Sequence, residues 1–337
     1  MEIGHTGLSV SAHAGPAGLR AHAHRHVQII HFPDDECPPA WRQAVLALGN
    51  FDGLHRGHVT IVERVRERAR ARGIVPVALT FDPHPPRVVR PDKAPPLLMT
   101  AVQKFEALGA AGIGGIAVVR FTEELSRWDP EQFVTAVLVE WLQVSEVWVG
   151  ANFLFGHERA GNFSLLRALG ARYGFRAEKI DPIRYKDFVV SSTRVRRLVA
   201  EGWVDEAGAL LGHHYALDGL VVRGDGRGRQ LGVPTANIRS DNELLPPDGV
   251  YATLVGIEGV VHAGVTNVGR RPTFGDGERV IETHIFDLSR DLYDCPLRLS
   301  FVRRLRDEKR FDDVDALKAQ IEADCRAARD LFAQISL

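Results

Sequence analysis

Gly49-Asn50-Phe51-Asp52-Gly53-Leu54-His55-Arg56-Gly57-His58 is the stretch on which the fold of the first half turns. Before it, Ala44-Val45-Leu46-Ala47-Leu48 is a short, uninterrupted apolar run of the kind that forms a buried strand. After it, Val59, Ile61, Val62, Val65 and Ala69 recur at helical spacing as far as Arg72. The stretch therefore reads as a glycine-rich strand-to-helix turn, a place where backbone amides and a helix N-terminus meet anions. It contains neither G-x-G-x-x-G nor G-K-[ST], so it is neither a dinucleotide fingerprint nor a P-loop. What it has is His-x-Gly-His. Two imidazoles so placed either ligate zinc, for which no third ligand has matching spacing, or donate hydrogen bonds to a phosphate as charge builds on it.

Working outward, the same strand–helix rhythm continues. Ile74–Phe81, Ile116–Val119, Val147–Val149 and Phe175–Ile180 read as strands. Thr100 caps a helix running to Ala111, Pro130 opens one running to Leu142, and Phe163–Tyr173 is a third. Alternation of this kind implies a parallel sheet covered on both faces, with ligands beyond the carboxyl ends of its strands. The turns at 49–58, 80–86 and 150–161 all fall at those ends. Ser191-Ser192-Thr193-Arg194-Val195-Arg196-Arg197 then opens another helix, either a second anion-binding terminus or a plain capped helix with exposed arginines.

The character changes after Leu211-Gly212. Short β-type runs, Leu217–Arg223, Val250–Ile257, Val260–Val268, Arg279–Phe286 and Leu297–Phe301, alternate with Gly, Pro and Asp, which suggests an antiparallel barrel or sandwich. An amphipathic helix over Val314–Ile335 closes the chain. We expect two folded domains, 27–205 and 213–337. They follow a leader of residues 1–26 that carries His5, His13, His22, His24 and His26 and reads as a disordered extension.

Composition narrows the classes. The 337 residues are 45% hydrophobic and 25% charged, ordinary for a globular protein, and the formal charge of -1 offers no general attraction to nucleic acid or a membrane surface. Arg64–Arg72 alternates with Glu63 and Glu67 and reads as a solvated helix face. No apolar run approaches the ~20 residues of a membrane span. Cys37, Cys295 and Cys325 are too few and too scattered for a disulfide framework or a zinc site, so the default compartment is the cytoplasm.

The 49–58 turn paired with Ser191–Arg196 resembles the signatures of the nucleotidyltransferase superfamily. With Thr80-Phe81-Asp82-Pro83-His84-Pro85 and Gly150-Ala151-Asn152-Phe153-Leu154-Phe155-Gly156, the first half is similar to the FMN adenylyltransferase module of prokaryotic bifunctional riboflavin kinase/FAD synthetases. The resemblance implies that His55 and His58 hold the ATP phosphates and stabilise the transition state. It implies further ATP contacts at Gly49, Phe51, Asp52, Gly53, Ser192, Thr193 and Arg196, and flavin contacts at Asp82, Pro83, Asn152 and Phe155. Asp52 is either catalytic or a structural turn residue. The nucleophile would be the phosphate of FMN itself, so no strong base is expected.

The second half carries Gly219–Gly232, a strand and a four-glycine loop that either wraps phosphates or is a flexible hairpin. Gly232-Val233-Pro234-Thr235-Ala236-Asn237-Ile238, Asn267–Phe274 and Ile281–Asp287 follow in order and resemble riboflavin kinases. That resemblance implies an ATP site at Gly224, Gly226, Gly228, Gly232, Thr235 and Asn237, with Thr235 and Asn237 holding Mg²⁺. It also implies a flavin contact at Asn267 and a general base at Glu282, with Asp287 as second candidate. Arg303–Arg310 either reaches the bound substrate or is a solvated basic face. The implied partners are riboflavin, FMN and ATP, without nucleic acid or membrane, on a monomer or transient oligomer. The rival readings are one surviving activity, a flavin-binding sensor without turnover, and a nucleic-acid role.

Overall fold

A computed structural model describes residues 27–224, 232–270, 279–311 and 313–335. The leader, and with it the expectation for 1–26, lies outside the described residues, as do Gly226 and Gly228.

The first half is a six-stranded, wholly parallel sheet in the order β1-β4-β3-β2-β5-β8. Its strands are β1 (Gln28–Phe32), β2 (Val45–Leu48), β3 (Pro76–Asp82), β4 (Gly115–Arg120), β5 (Glu146–Gly150) and β8 (Arg176–Ile180). Two short pairs stand outside it, β6 (Leu154–Phe155) with β7 (Gly161–Asn162) and β9 (Arg184–Tyr185) with β10 (Phe188–Val189), and the connections include α2 (Pro85–Val89), α4 (Glu123–Ser126) and α6 (Phe163–Tyr173). Period-2 geometry sends alternate side chains to opposite faces. Leu46, Leu48, Val147 and Val149 enter one core, while Val45, Ala47, Ile116 and Val118 enter the other. The second core is closed by α1 (Arg56–Arg72) through Ile61, Val62, Val65 and Ala69. The chain crosses from β2 to β3 on one side and places β5 on the other. The 49–58 turn thus sits at the point where the winding reverses, where open α/β sheets bind ligands.

Three expectations need correction here. β1 was not among the expected strands, yet it pairs in register with β4 from Gln28 to Phe32. The helix opened by Pro130 is α-helical only over α5 (Pro130–Phe133) and continues as a π-helix over Val134–Trp141. The Arg64–Arg72 face is not simply solvated. Arg68 donates to both Glu146 oxygens, from Nε at 2.9 and 3.2 Å and from Nη2 at 2.9 Å, and Trp148 Nε1 adds a further bond at 2.7 Å. Burial works to raise the Glu146 pKa, but those hydrogen bonds outweigh it and hold the carboxyl below its ordinary value.

The second half is a closed six-stranded antiparallel barrel in the order β11-β12-β15-β14-β13-β16. Its strands are β11 (Tyr215–Val222), β12 (Ala236–Ser240), β13 (Gly249–Ile257), β14 (Val260–Arg270), β15 (Arg279–Ile285) and β16 (Pro296–Asp307). Closure leaves no open sheet edge. Among the described residues the interior is mostly apolar, and the hydroxyls of Thr253, Thr266 and Thr283 form a buried chain within it at 2.8 and 2.9 Å. The terminal helix α9 (Val314–Gln334) lays Ala328, Leu331 and Phe332 on Val250, Ala252, Val265 and Val302, so the amphipathic pattern finds its apolar partner on the barrel's outer wall.

The junction is not a bare linker. α7 (Ser192–Glu201) and α8 (Val204–Leu211) share one core with the barrel, joining Val195, Leu198, Val204, Leu210 and Leu211 to Tyr215, Leu217 and Phe301. The end of α8 also docks on the 49–58 turn. Arg56 Nε donates to Ala209 O at 2.8 Å, and a His213 ring nitrogen lies 3.3 Å from Gly53 O. Gly53 has φ 85°, and a β-carbon there would stand 2.7 Å from Leu98 and 3.3 Å from Leu211. Only glycine meets both demands.

Candidate active sites

The 49–58 turn builds the first site by taking unusual backbone values in succession. Phe51, Gly53 and Leu54 all have positive φ, and Phe51 is fully buried against Gly49. This bend ends at His55, the N-cap of α1, whose Nδ1 accepts from the His58 amide at 3.3 Å. The two imidazoles stack with centroids 3.7 Å apart and planes 12° from parallel. Burial pushes His55 down to about 4, and burial followed by repulsion from His55 pushes His58 well below its ordinary value. Both rings are thus neutral at physiological pH, each with one N–H to donate. His58 Nδ1 is buried without a partner. Neutral donors in a low-dielectric site suit a polyphosphate that already bears its own charge.

Asp52 is drawn elsewhere. Its carboxylate accepts from the Leu98 amide at 3.0 Å and the Met99 amide at 3.2 Å, and it pairs with Arg196 Nη2 at 2.6 Å. Arg196 Nε donates to Pro96 O at 2.9 Å, and Ser192 Oγ donates to Asp52 O at 2.8 Å. Of the two readings of Asp52, the structure supports the structural one: it joins the turn, the 96–99 loop and the start of α7. Arg196 enters the site through this pair. Ser191 caps α7 at the Arg194 amide, 3.3 Å away, and Thr193 is exposed beside it.

Of the residues expected to contact flavin, Asp82 ends β3 exposed, Pro83 follows it exposed, and Asn152 is exposed after β5. Phe155 differs: it is buried among Phe133, Phe153 and Gly161 as part of the sheet core. Two further residues stand here: Lys104 in α3 (Ala101–Ala110), which the sequence reading did not single out, and His84, which it quoted within Thr80–Pro85 without assigning it a role. Lys104 Nζ donates to Thr80 Oγ1 at 3.1 Å, and burial pushes His84 down to about 4. A cation in the first turn of a helix, against the dipole, was the signal for Lys104.

The second site lies on the outside of the barrel. Register pairs Asn237 with Glu282 and Glu282 with Asn267, so three polar side chains stand side by side on β12, β15 and β14. Their neighbours Ile238, Ile281 and Val268 point inward. β12 was missed in the sequence because its five residues follow directly on Pro234 and Thr235 without an apolar run. Thr235 and Glu282 are partly buried, and Gly232 has φ 77°. Asn237 Oδ1 is buried without a partner, and a β-carbon on Gly224 would lie 2.1 Å from the Asn237 amide nitrogen. Glycine at 224 lets the chain close over that side chain. Among the described residues no three His, Cys, Asp or Glu side chains gather as a metal cage. The orphaned Asn237 oxygen, two residues from the Thr235 hydroxyl, is the kind of oxygen donor that Mg²⁺ shares with nucleotide phosphates.

Asp287, the second candidate base, stands in an exposed ion pair. Arg329 of α9 grips both its oxygens at 3.1 Å, and that hydrogen bonding holds its pKa below the ordinary value. The Arg303–Arg310 stretch is likewise no uniform solvated face, since Arg306 is bidentate to the buried Asp324 at 3.0 and 2.8 Å and Arg304 donates to Asp248 O at 2.7 Å.

Comparison with known proteins follows the same division. Residues 37–194 match the family model described as FAD synthetase, and residues 211–332 match the riboflavin kinase model. The bifunctional riboflavin kinase/FMN adenylyltransferase of Pseudomonas fluorescens is 40% identical over 296 residues, spanning 88% of this chain and 95% of that protein. Its counterpart in Escherichia coli K12 is 36% identical over 289 residues, spanning 86% and 92%. A Streptococcus pneumoniae crystal structure described as a macrolide-efflux protein superposes with TM-score 0.81 at 28% identity over 89% of this chain and 98% of its own. Among the described residues no helix is long and apolar enough to cross a membrane. With two family models covering separate halves in one order, and relatives above 30% identity along nearly their whole length, the chain belongs to the bifunctional riboflavin kinase/FMN adenylyltransferase family.

Proposed function

We propose that the barrel phosphorylates riboflavin with ATP to give FMN and ADP, and that the parallel-sheet half transfers AMP from a second ATP to FMN, giving FAD and pyrophosphate. The observation that carries this reading is the match of a separate family model to each half. In the barrel, Glu282 takes the proton from the riboflavin 5′-hydroxyl as that oxygen attacks the γ-phosphorus. A primary alcohol is a poor nucleophile, and a partly buried carboxylate with no side-chain hydrogen bond among the described residues can serve as its base. Thr235 and Asn237 hold Mg²⁺ with the ATP phosphates, and the ion supplies charge neutralisation there. Gly224, Gly232 and Asn267 complete the nucleotide and flavin contacts.

In the sheet half, His55 and His58 bind the α-phosphate region as neutral donors, with Ser192, Thr193 and Arg196 on the β and γ phosphates. Gly49, Phe51, Asp52 and Gly53 shape that seat, and Asp82, Pro83, Asn152 and the Phe155 core frame the flavin. The two units are assigned to residues 27–205 and 213–337. We read the protein as a cytoplasmic enzyme acting on small molecules alone, as a monomer or transient oligomer. Incubation with riboflavin, ATP and Mg²⁺, followed by chromatography, tests this. FMN and FAD must both form; accumulation of FMN alone overturns adenylyl transfer, and ligand binding without release of ADP or pyrophosphate overturns both.

A further inference from the structure

Lys104 occupies a place that local physics disfavours. It follows the N-cap Thr100 by four residues, inside the first turn of α3, where the helix dipole repels a cation. It is partly buried, and its ammonium donates to Thr80 Oγ1 at 3.1 Å, a hydroxyl that itself donates to Asn50 O at 3.1 Å. Asp82 and then Asp52 attract it, yet among the described residues no carboxylate pairs with it, and Asp52 is already committed to Arg196. Beside it, at the carboxyl end of β3, His84 holds Nδ1 buried and without a partner, within electrostatic range of Asp52, Arg196 and Lys104. A partly dehydrated ammonium and an unused imidazole nitrogen thus lie within electrostatic range of each other on the β3 side of the 49–58 turn. Such an arrangement is costly unless an anion completes it.

We propose that Lys104, with His84 beside it, seats the phosphomonoester of the flavin acceptor and so positions the oxygen that attacks ATP. The proposal rests on the assignment of adenylyl transfer to this half. Lys104 stands with Asp82 at the end of β3, the strand end assigned to the flavin. Asp52 and Arg196 are also within electrostatic range of the pair, so varying FMN and ATP separately tells the acceptor's phosphate from the nucleotide's. In the step it supports, an acceptor phosphate oxygen supplies the electron pair of the new bond to the α-phosphorus. The bond from that phosphorus to the bridging oxygen breaks, its pair leaves with pyrophosphate, and a dianionic acceptor needs to lose no proton. Lys104 is here a positioning residue for the acceptor and carries no proton in the step.

The test is steady-state FAD formation by the full-length protein, with FMN and ATP varied separately. Lys104→Met should raise KM for FMN by roughly 10- to 100-fold, the size of one charge-assisted hydrogen bond, and leave KM for ATP within about twofold. Lys104→Arg should recover part of the loss, and FMN formation from riboflavin should not change. An equal rise in both KM values, or a fall in kcat with KM for FMN unchanged, overturns the proposal. Wild-type protein supplies a test independent of any variant's folding: inorganic phosphate should inhibit competitively against FMN. Phosphate competing with ATP alone overturns the proposal while leaving adenylyl transfer intact. Absence of FAD formation by the wild-type protein overturns both.

Discussion

Asp52 and Arg196 stand 144 residues apart in sequence and meet in a 2.6 Å ion pair that is nearly closed to solvent. The same carboxylate caps the Leu98 and Met99 amides, so three segments of chain converge on one side chain. Asp52→Ala removes every one of these bonds and leaves a desolvated guanidinium and two amides unpaired. We expect a loss of about 3–5 kcal/mol in the parallel-sheet half. Urea unfolding checks it, and an unmoved midpoint would mean that Arg196 finds another partner.

The two reactions should separate by mutation. Glu282→Ala is expected to abolish FMN formation from riboflavin by at least about 100-fold, the usual scale of a lost general base, while FMN is still converted to FAD. The Asn237–Glu282–Asn267 row lies on the barrel wall, and nothing in its register depends on the glutamate side chain. Product chromatography with each starting flavin reads both steps from one sample.

His58→Ala should do the reverse, stalling the product at FMN. Loss of one neutral donor at a transferring phosphoryl group costs on the order of 100-fold in kcat. If the kinase rate fell in parallel with the fold intact, the assignment of two separate centres would be wrong.

The buried histidines also set a pH dependence. An unfolded imidazole near 6.5 takes up a proton that folded His55 refuses until about 4, so protonation favours the unfolded chain. The stability held by neutral His55 is complete above 6.5 and is lost as pH falls from there toward 4. At pH 5 that loss is about 2 kcal/mol from this one residue. Urea melts at pH 7.5 and pH 5 measure it, and His55→Gln should shrink the difference between them.

A buried amide bridge joins the two halves. Asn242 Nδ2 donates to Gln103 Oε1 at 2.7 Å, and Gln103 is the residue that closes the capping box of α3 with Thr100. Asn242→Ala should cost about 1–3 kcal/mol, because it also removes the acceptor for the Asp218 amide. Differential scanning calorimetry should show a single melting transition broaden or split as the halves lose their tie.

What the sequence made legible follows from range. The β2–turn–α1 unit, the Thr100 cap and the long barrel strands are written in neighbouring residues, and period and caps disclose them. β12 is too short and β1 too polar, with its exposed Gln28, Ile29 and His31, to announce themselves; both exist because a partner strand holds them. The residues whose meaning changed most are those fixed by distant partners. Arg68 answers to Glu146, Arg306 to Asp324, Asp287 to Arg329, and Lys104 to a hydroxyl on β3. No local pattern encodes such pairings. Motif resemblance named candidate site residues but could not disclose that Asp52 ties three segments together or that Phe155 packs in the core.

The outer side of the 49–58 turn holds the end of α8 through Arg56, Gly53 and Leu211, while its inner side holds the histidines. A cut between the halves would therefore strip the turn of Ala209, Leu211 and His213 on its outer side, so the backing of the two stacked imidazoles is supplied from the far side of the junction.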